Sequence, residues 1–245
     1  NNQILLNNLR CIPDWPIKGV NFRDITTLFK VHSALESLLM TYDLYKDKGI
    51  TKIVGIESRG FVMSSAAAIR LGAGIVLCRK PGKLPCETIQ MSYAKEYGID
   101  TIEIHKDSIT EDDVILLHDD LLATGGTMKA ACDLVRKFHP KKVYCNFIIE
   151  LQSEFPNARD IFDDDIEVQA SLSSKVFPEI SQEHPVEPNN WNHLFDSGKT
   201  HPTSQLGNAH HIPQAHSHNK EHAWGFCLRT NDWLDPLEKI IDKEL

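Results

Sequence analysis

Val114–Thr127, VILLHDDLLATGGT, is the stretch on which the reading of this chain turns. The apolar run Val114–Leu117 leads through His118 into two acids, Asp119 and Asp120, and then Leu121-Leu122. A turn of small and hydroxyl-bearing residues follows, Ala123-Thr124-Gly125-Gly126-Thr127, and then a helical pattern from Gly126 to Phe138, stopped by Pro140. Adjacent strand residues point to opposite faces, so the two carboxylates are free to do different jobs. The vicinal hydroxyls of a ribose are natural partners for such acids. Small turn residues let backbone N–H groups come close to a phosphate. The helix that follows offers free N–H groups and the positive end of its dipole. Thr124 and Thr127 add hydroxyl donors. The order strand, acids, glycine turn, helix therefore predicts a sugar-phosphate site. The chain contains neither G-x-x-x-x-G-K-[ST] nor G-x-G-x-x-G, which excludes a Walker loop and a dinucleotide fingerprint.

Working outward, the same alternation continues on both sides. Ala34, Leu35, Leu38, Leu39, Tyr42 and Tyr45 recur at helical spacing and predict a helix over 31–48, closed by Gly49. Short apolar strands are expected at Ile53–Ile56, Gly74–Cys78, Val114–Leu117 and Val143–Ile149, with a tightly packed helix over Gly60–Leu71. Thr88–Met91 and Thr101–Ile104 are expected to pair as arms of a long hairpin around Tyr93–Gly98. Strands alternating with helices imply an α/β fold with a mostly parallel central sheet covered on both faces. Ligands of such sheets sit beyond the carboxyl ends of the strands, where strand order reverses.

The 245 residues suit one sizeable domain with or without an appendage. No apolar run is long enough for a membrane span. The opening NNQILLNNLR does not read as a signal peptide, and with no initiator Met the natural start is left open. None of the six cysteines forms a C-x-x-C pair, and buried free thiols in a reducing cytoplasm are expected. Charge is uneven: of a net −8, residues 151–245 hold 16 Asp+Glu against 7 Lys+Arg, together with eight of the twelve histidines. That acidic tail argues against nucleic-acid binding, which needs a basic face. The shift in composition places a boundary near residue 151. Beyond it, Val168–Leu172, Trp224–Leu228 and Leu234–Leu245 are weaker candidates for two strands and a closing helix.

The Val114–Thr127 segment resembles the 5-phosphoribosyl-1-pyrophosphate (PRPP) motif of the type I phosphoribosyltransferases. The likeness is strongest to the adenine phosphoribosyltransferases and runs from about Ile12 to Leu151. Four further segments carry it: IPDWPIKGVNFRDIT, GIESRGF, RKPGKLP and SYAKEYG. The resemblance implies the type I phosphoribosyltransferase fold, with residues 1–30 as a base-binding hood, 31–151 as the PRPP-binding core and 152–245 as an extension of unknown role. It implies transfer of phosphoribosyl from PRPP to adenine, giving AMP and pyrophosphate, in a cytoplasmic homodimer. Asp119 and Asp120 are then catalytic acids on the ribose, and Ala123, Thr124, Gly125, Gly126 and Thr127 cradle the 5-phosphate. Glu57, Ser58 and Arg59 form the pyrophosphate turn, with a cis peptide between the first two. Arg79, Lys80 and Lys83 receive the leaving group. Glu96 handles the base proton from a closing lid, beside Tyr97. Backbone groups of Asn21 and Arg23 read the base edge, and Phe22 and Leu121 sandwich its ring. Mg²⁺ bridges substrate oxygens with no dedicated protein ligand set, as its preference for water and phosphate oxygens allows.

Two features stand outside this pattern. His118 falls where the family usually carries an apolar residue; it either tunes the acids or sits inertly in the core, and the inert role is expected. His210, His211, His216, His218 and His222 lie close together in the tail without a zinc-ligand spacing, so a surface or dimer-related role is expected for that segment. Two rival readings remain: the same transfer to a 6-oxopurine, or a PRPP-binding regulator without turnover.

Overall fold

The computed structural model describes residues 2–15, 18–95 and 98–177. Glu96, Tyr97, the histidine cluster and the two elements expected at Trp224–Leu228 and Leu234–Leu245 lie outside the described residues.

Five parallel strands make the central sheet: β3 (Lys52–Ile56), β4 (Gly74–Cys78), β7 (Val114–Leu122), β8 (Lys142–Glu150) and β9 (Glu167–Ser173), in the order β4-β3-β7-β8-β9. The chain goes outward from β3 to β4 on one side and from β7 to β9 on the other. Strand order therefore reverses between β3 and β7, and the crevice of such a sheet opens there. The inner strands are buried on both faces, which is why they read as continuous apolar runs rather than alternating ones.

Each face has its own core. One, centred on Val54, Ile115, Leu117 and Phe147, is closed by α5 (Gly126–Arg136) and by the antiparallel hairpin β5 (Thr88–Lys95) and β6 (Gly98–His105). The other, centred on Ile53, Leu116 and Ile149, is closed by α3 (His32–Thr41) and α4 (Gly60–Leu71) with α1 (Asn2–Asn8). β1 (Arg10–Ile12) and β2 (Phe22–Asp24) pair antiparallel as a two-stranded hood before α2 (Thr26–Phe29).

Four expectations are revised. The helix over 31–48 ends at Thr41 and tightens into a 3₁₀ turn, Tyr42–Tyr45, which turns both Tyr42 and Tyr45 into the core at 1% exposure. β7 runs five residues past Leu117, because its pairing with β8 continues to Leu122↔Glu150. The hairpin arms extend toward the tip as far as Lys95↔Gly98. The sheet also outruns the shift in composition at 151: β9 pairs with β8 from Tyr144↔Glu167 to Glu150↔Ser173. β9 covers the strand expected at Val168–Leu172 and extends it by one residue at each end.

Candidate active site

The carboxyl ends of β3 and β7 meet at this crevice. Gly60, first residue of α4, makes the closeness possible: a Cβ there would lie 2.7 Å from the His118 carbonyl oxygen and 3.3 Å from Asp119 Cα. Arg59 Nε donates to Asp120 Oδ2 at 2.5 Å, so the turn after β3 and the acids of β7 form one assembly. The alternation along β7 separates the acids, with Asp120 buried and Asp119 half-buried. Asp119 Oδ1 accepts from the Asp120 N–H at 2.8 Å. Burial, and then the neighbouring Asp120 charge, push the Asp119 carboxyl well above the usual carboxylate range. A site that strains a carboxylate in this way favours whatever cationic or hydroxyl-rich partner relieves it.

Behind the acids, His118 is fully buried. Its Nδ1 lies 3.1 Å from both Asn146 Oδ1 and the Tyr42 hydroxyl oxygen, which is also 3.3 Å from Nε2, so the ring is held in a polar contact network. Asn146 Nδ2 donates to the Tyr45 hydroxyl at 3.3 Å. Burial lowers the imidazole pKa to about 4, so His118 is a neutral, satisfied core residue.

The Glu57–Ser58 peptide is cis, as the resemblance implied. Glu57 holds the cation turn in place: it accepts from Arg79 Nη2 at 2.9 Å and from the Lys80 N–H at 3.0 Å. Burial alone would raise the Glu57 pKa, and these bonds outweigh it and lower it. Arg79 also donates through Nη1 to the Lys83 carbonyl at 3.0 Å, so its guanidinium is largely engaged in shaping the turn. Lys80 pairs with Asp100 of β6, and Lys83 is exposed.

Ala123 is buried, Thr124 is exposed, and Gly125 caps α5 at φ +83, a conformation that side chains other than glycine rarely adopt. Gly126 and Thr127 open the helix. Thr127 Oγ1 lies 3.0 Å from the Tyr93 hydroxyl of β5, which also donates to Asp100 at 3.2 Å. The hairpin thus touches both the phosphate turn and the cation turn. Its tip residues, Glu96 and Tyr97, lie outside the described residues.

The hood closes a cavity whose wall contains Asn21, Phe22, Arg23 and Leu121 together with Arg59 and Asp120. Phe22 packs edge-on against Trp15 at 4.4 Å, and Asp24 anchors the hood by accepting from Arg10 Nε at 3.0 Å and Thr26 N at 2.9 Å. Among the described residues, Arg23 Nε and Nη1 are buried with no hydrogen-bond partner, and the guanidinium lies over the Phe177 ring at 4.9 Å. Sequence reasoning missed Leu151, Glu154 and Phe155 in the same wall, because they follow β8 in a turn with no motif of its own. It also missed Tyr93 and Asp100, which an alternating hairpin gives no reason to single out. Among the described residues, no group of three or more His, Cys, Asp or Glu is placed to hold a metal ion.

The phosphoribosyl transferase domain family matches residues 25–176, more than half of the chain, and the chain belongs to that family. Curated relatives in the family include adenine phosphoribosyltransferases. That of Bacteroides fragilis is 60% identical over 172 residues, covering 69% of this chain and 96% of the relative. Among solved structures, adenine phosphoribosyltransferase from Rhodothermus marinus aligns with TM-score 0.65 at 40% identity, covering 70% of this chain and 97% of that one. The Giardia lamblia enzyme, solved in complex with 9-deazaadenine, aligns with TM-score 0.62 at 35% identity, covering 69% and 95%.

Proposed function

We propose that this chain transfers the 5-phosphoribosyl group of PRPP to adenine, giving AMP and pyrophosphate. The observation that carries the reading is the shared wall of the hood cavity. Asn21, Phe22, Arg23 and Leu121 line it, and Arg59 and Asp120 join it to the acid pair, so a base held there faces a ribose held at β7. The C1′–pyrophosphate bond breaks, the bond from C1′ to adenine N9 forms, and the base gives up a proton. Asp119 and Asp120 orient the ribose hydroxyls, and negative charge at the acid pair offsets the positive charge that develops at C1′ once substrate and its cation relieve the crowding on Asp119. Ala123–Thr127 and the start of α5 hold the 5-phosphate, and Lys80 and Lys83 receive the leaving pyrophosphate. Arg79 and Glu57 act mainly by holding that turn. Ser58 and Arg59 sit between the two, and Glu96, outside the described residues, is assigned the base proton, with Tyr97 beside it in sequence.

Mg²⁺ fits the donors present. One acid of the pair is tied to Arg59, which leaves too few oxygens for an all-protein cage and suits an ion carried by PRPP and water near Asp119 and Asp120. Bound there, it would supply positive charge against the pyrophosphate. At the base edge, the Asn21 and Arg23 backbone read adenine; a 6-oxopurine reverses the donor pattern and leaves buried groups unpaired.

A homodimer fits the apolar side chains on the outer face of α4 and the β4 edge, where Val62, Ile69, Ile75 and Leu77 are exposed. A cytoplasmic location fits a role in purine salvage. Among the described residues no helix is long and apolar enough to cross a membrane. The substrate assignment is tested by competition: with PRPP and Mg²⁺, adenine should be consumed in preference to hypoxanthine and guanine by a factor of at least about a hundred. Preferential IMP or GMP formation would refute it.

A further inference from the structure

We propose that Glu103 is a positioning residue for the pyrophosphate half of the reaction: it holds the 79–84 turn in the shape that presents Lys80 and Lys83 to the leaving group. The inference rests on the function proposed above. Glu103 lies on β6, not on the turn, and is 2% exposed. A carboxylate that deep persists only when its oxygens are satisfied. Among the described residues, its carboxylate faces four donors. Oε1 accepts from the Lys83 N–H at 3.2 Å and the Leu84 N–H at 3.3 Å. Oε2 accepts from Thr88 Oγ1 at 3.1 Å and Gln90 Nε2 at 3.0 Å. The Glu103 backbone also bridges Arg79, with Arg79 N donating to Glu103 O at 2.9 Å and Glu103 N to Arg79 O at 2.8 Å. Both ends of the turn therefore hang on one residue.

The turn needs such a hold. It gathers Arg79, Lys80 and Lys83 within five residues, and Gly82 reverses it at φ +75. Mutual repulsion favours spreading these cations into solvent. Glu57 grips the start of the turn from β3, and Glu103 grips its end from the hairpin. Burial alone would raise the Glu103 pKa; its hydrogen bonds outweigh that and lower it, so it is the ionised form that is held.

Glu103→Gln tests this, because the amide is nearly isosteric yet turns one acceptor into a donor facing donors. The measurements are pyrophosphate binding with Mg²⁺ by calorimetry, KM for PRPP, and KM for adenine at saturating PRPP. The proposal expects pyrophosphate binding and KM for PRPP to worsen by about tenfold or more, with KM for adenine within about twofold. Gln90→Ala, which removes a hairpin-side donor and leaves the turn-side bonds, should change pyrophosphate binding far less. Unchanged pyrophosphate binding in Glu103→Gln, or an equal loss in KM for adenine, overturns the proposal, as does an equal effect of Gln90→Ala. If Glu103→Gln does not fold, Glu103→Asp keeps the charge and shortens the reach. It should weaken pyrophosphate binding with little change in KM for adenine, and undiminished binding overturns the idea. Wild-type turnover is measured in parallel. Its absence counts against the proposed function, while the direct pyrophosphate titration still decides the role of Glu103.

Discussion

Replacing Gly60 with Ala puts a methyl group where the two halves of the site meet. The added Cβ would stand 2.7 Å from the His118 carbonyl oxygen and 3.3 Å from both Asp119 Cα and Asp119 Oδ1. Comfortable contacts to carbon begin at about 3.5 Å, so the turn after β3 must retreat from β7 by about 0.8 Å. The obstacle is strand backbone, which cannot rotate away as a side-chain tip would. Overpacking of this kind costs about 1–3 kcal/mol. Ala gains up to about 1 kcal/mol over Gly in a helix, an advantage reduced at the first helical position. A net loss of about 1–2 kcal/mol remains, or about 2–8 °C in melting temperature. The catalytic effect should be larger, because Arg59 is displaced from Asp120, and an error near 1 Å costs about a hundredfold in rate. Thermal melts and kcat/KM for PRPP check both. Gly74→Ala is the control: its Cβ would meet only Lys52 Cγ and Thr51 O, each at 3.8 Å, and both properties should stay near wild type. A Gly60→Ala protein that melts and turns over like wild type would refute the reasoning.

Three further outcomes are expected. Asp119 has a raised pKa when folded, so the folded protein keeps a proton that the unfolded chain loses near pH ~4, and stability falls as pH rises through the folded value. Asp119→Asn should therefore melt higher than wild type at pH 8, by less at pH 5, and lose turnover; a lower melting temperature at pH 8 contradicts the crowded-acid account. His118 has a pKa lowered to about 4, so the unfolded chain takes up its proton first, and as pH falls from about 6.5 to about 4 this site costs up to ~1.4 kcal/mol per pH unit. His118→Gln should lower the urea midpoint at pH 7.5 yet flatten its decline toward pH 5, and an unchanged slope contradicts the assignment. Glu96→Gln should lower turnover by at least about a hundredfold while PRPP affinity holds, and undiminished turnover shows that another group handles the base proton.

Much of the site was legible because its motifs sit where the chain changes from strand to turn. The acids, the glycine turn and the start of α5 are contiguous, and local sequence dictates their geometry. The turn at Glu57–Gly60 and the cation turn are likewise continuous segments. What sequence did not reveal depends on register between distant strands. Glu103 reaches Lys83 because β6 bridges Arg79, and no spacing along the chain encodes that bridge. Tyr93 and Asp100 meet Thr127 and Lys80 only once the hairpin lies across α5 and β4. Glu154 and Phe155 enter the cavity wall from a turn after β8. His118 stands out in sequence as a polar residue in an apolar strand. Its explanation lies in Tyr42 and Asn146, one brought inward by a 3₁₀ turn and the other by β8. The strand at Val168–Leu172 was legible from its own residues, but its place beside β8 depends on register between distant segments.

The central claim is that the end of β7 carries out phosphoribosyl transfer rather than PRPP binding alone. The most direct measurement follows labelled adenine and PRPP with Mg²⁺, quantifying AMP and pyrophosphate for wild type and for Asp119→Asn combined with Asp120→Asn. The account predicts equimolar AMP and pyrophosphate from wild type and essentially none from the double variant. A wild-type protein that binds PRPP yet forms no AMP, or a double variant that matches its turnover, would contradict it.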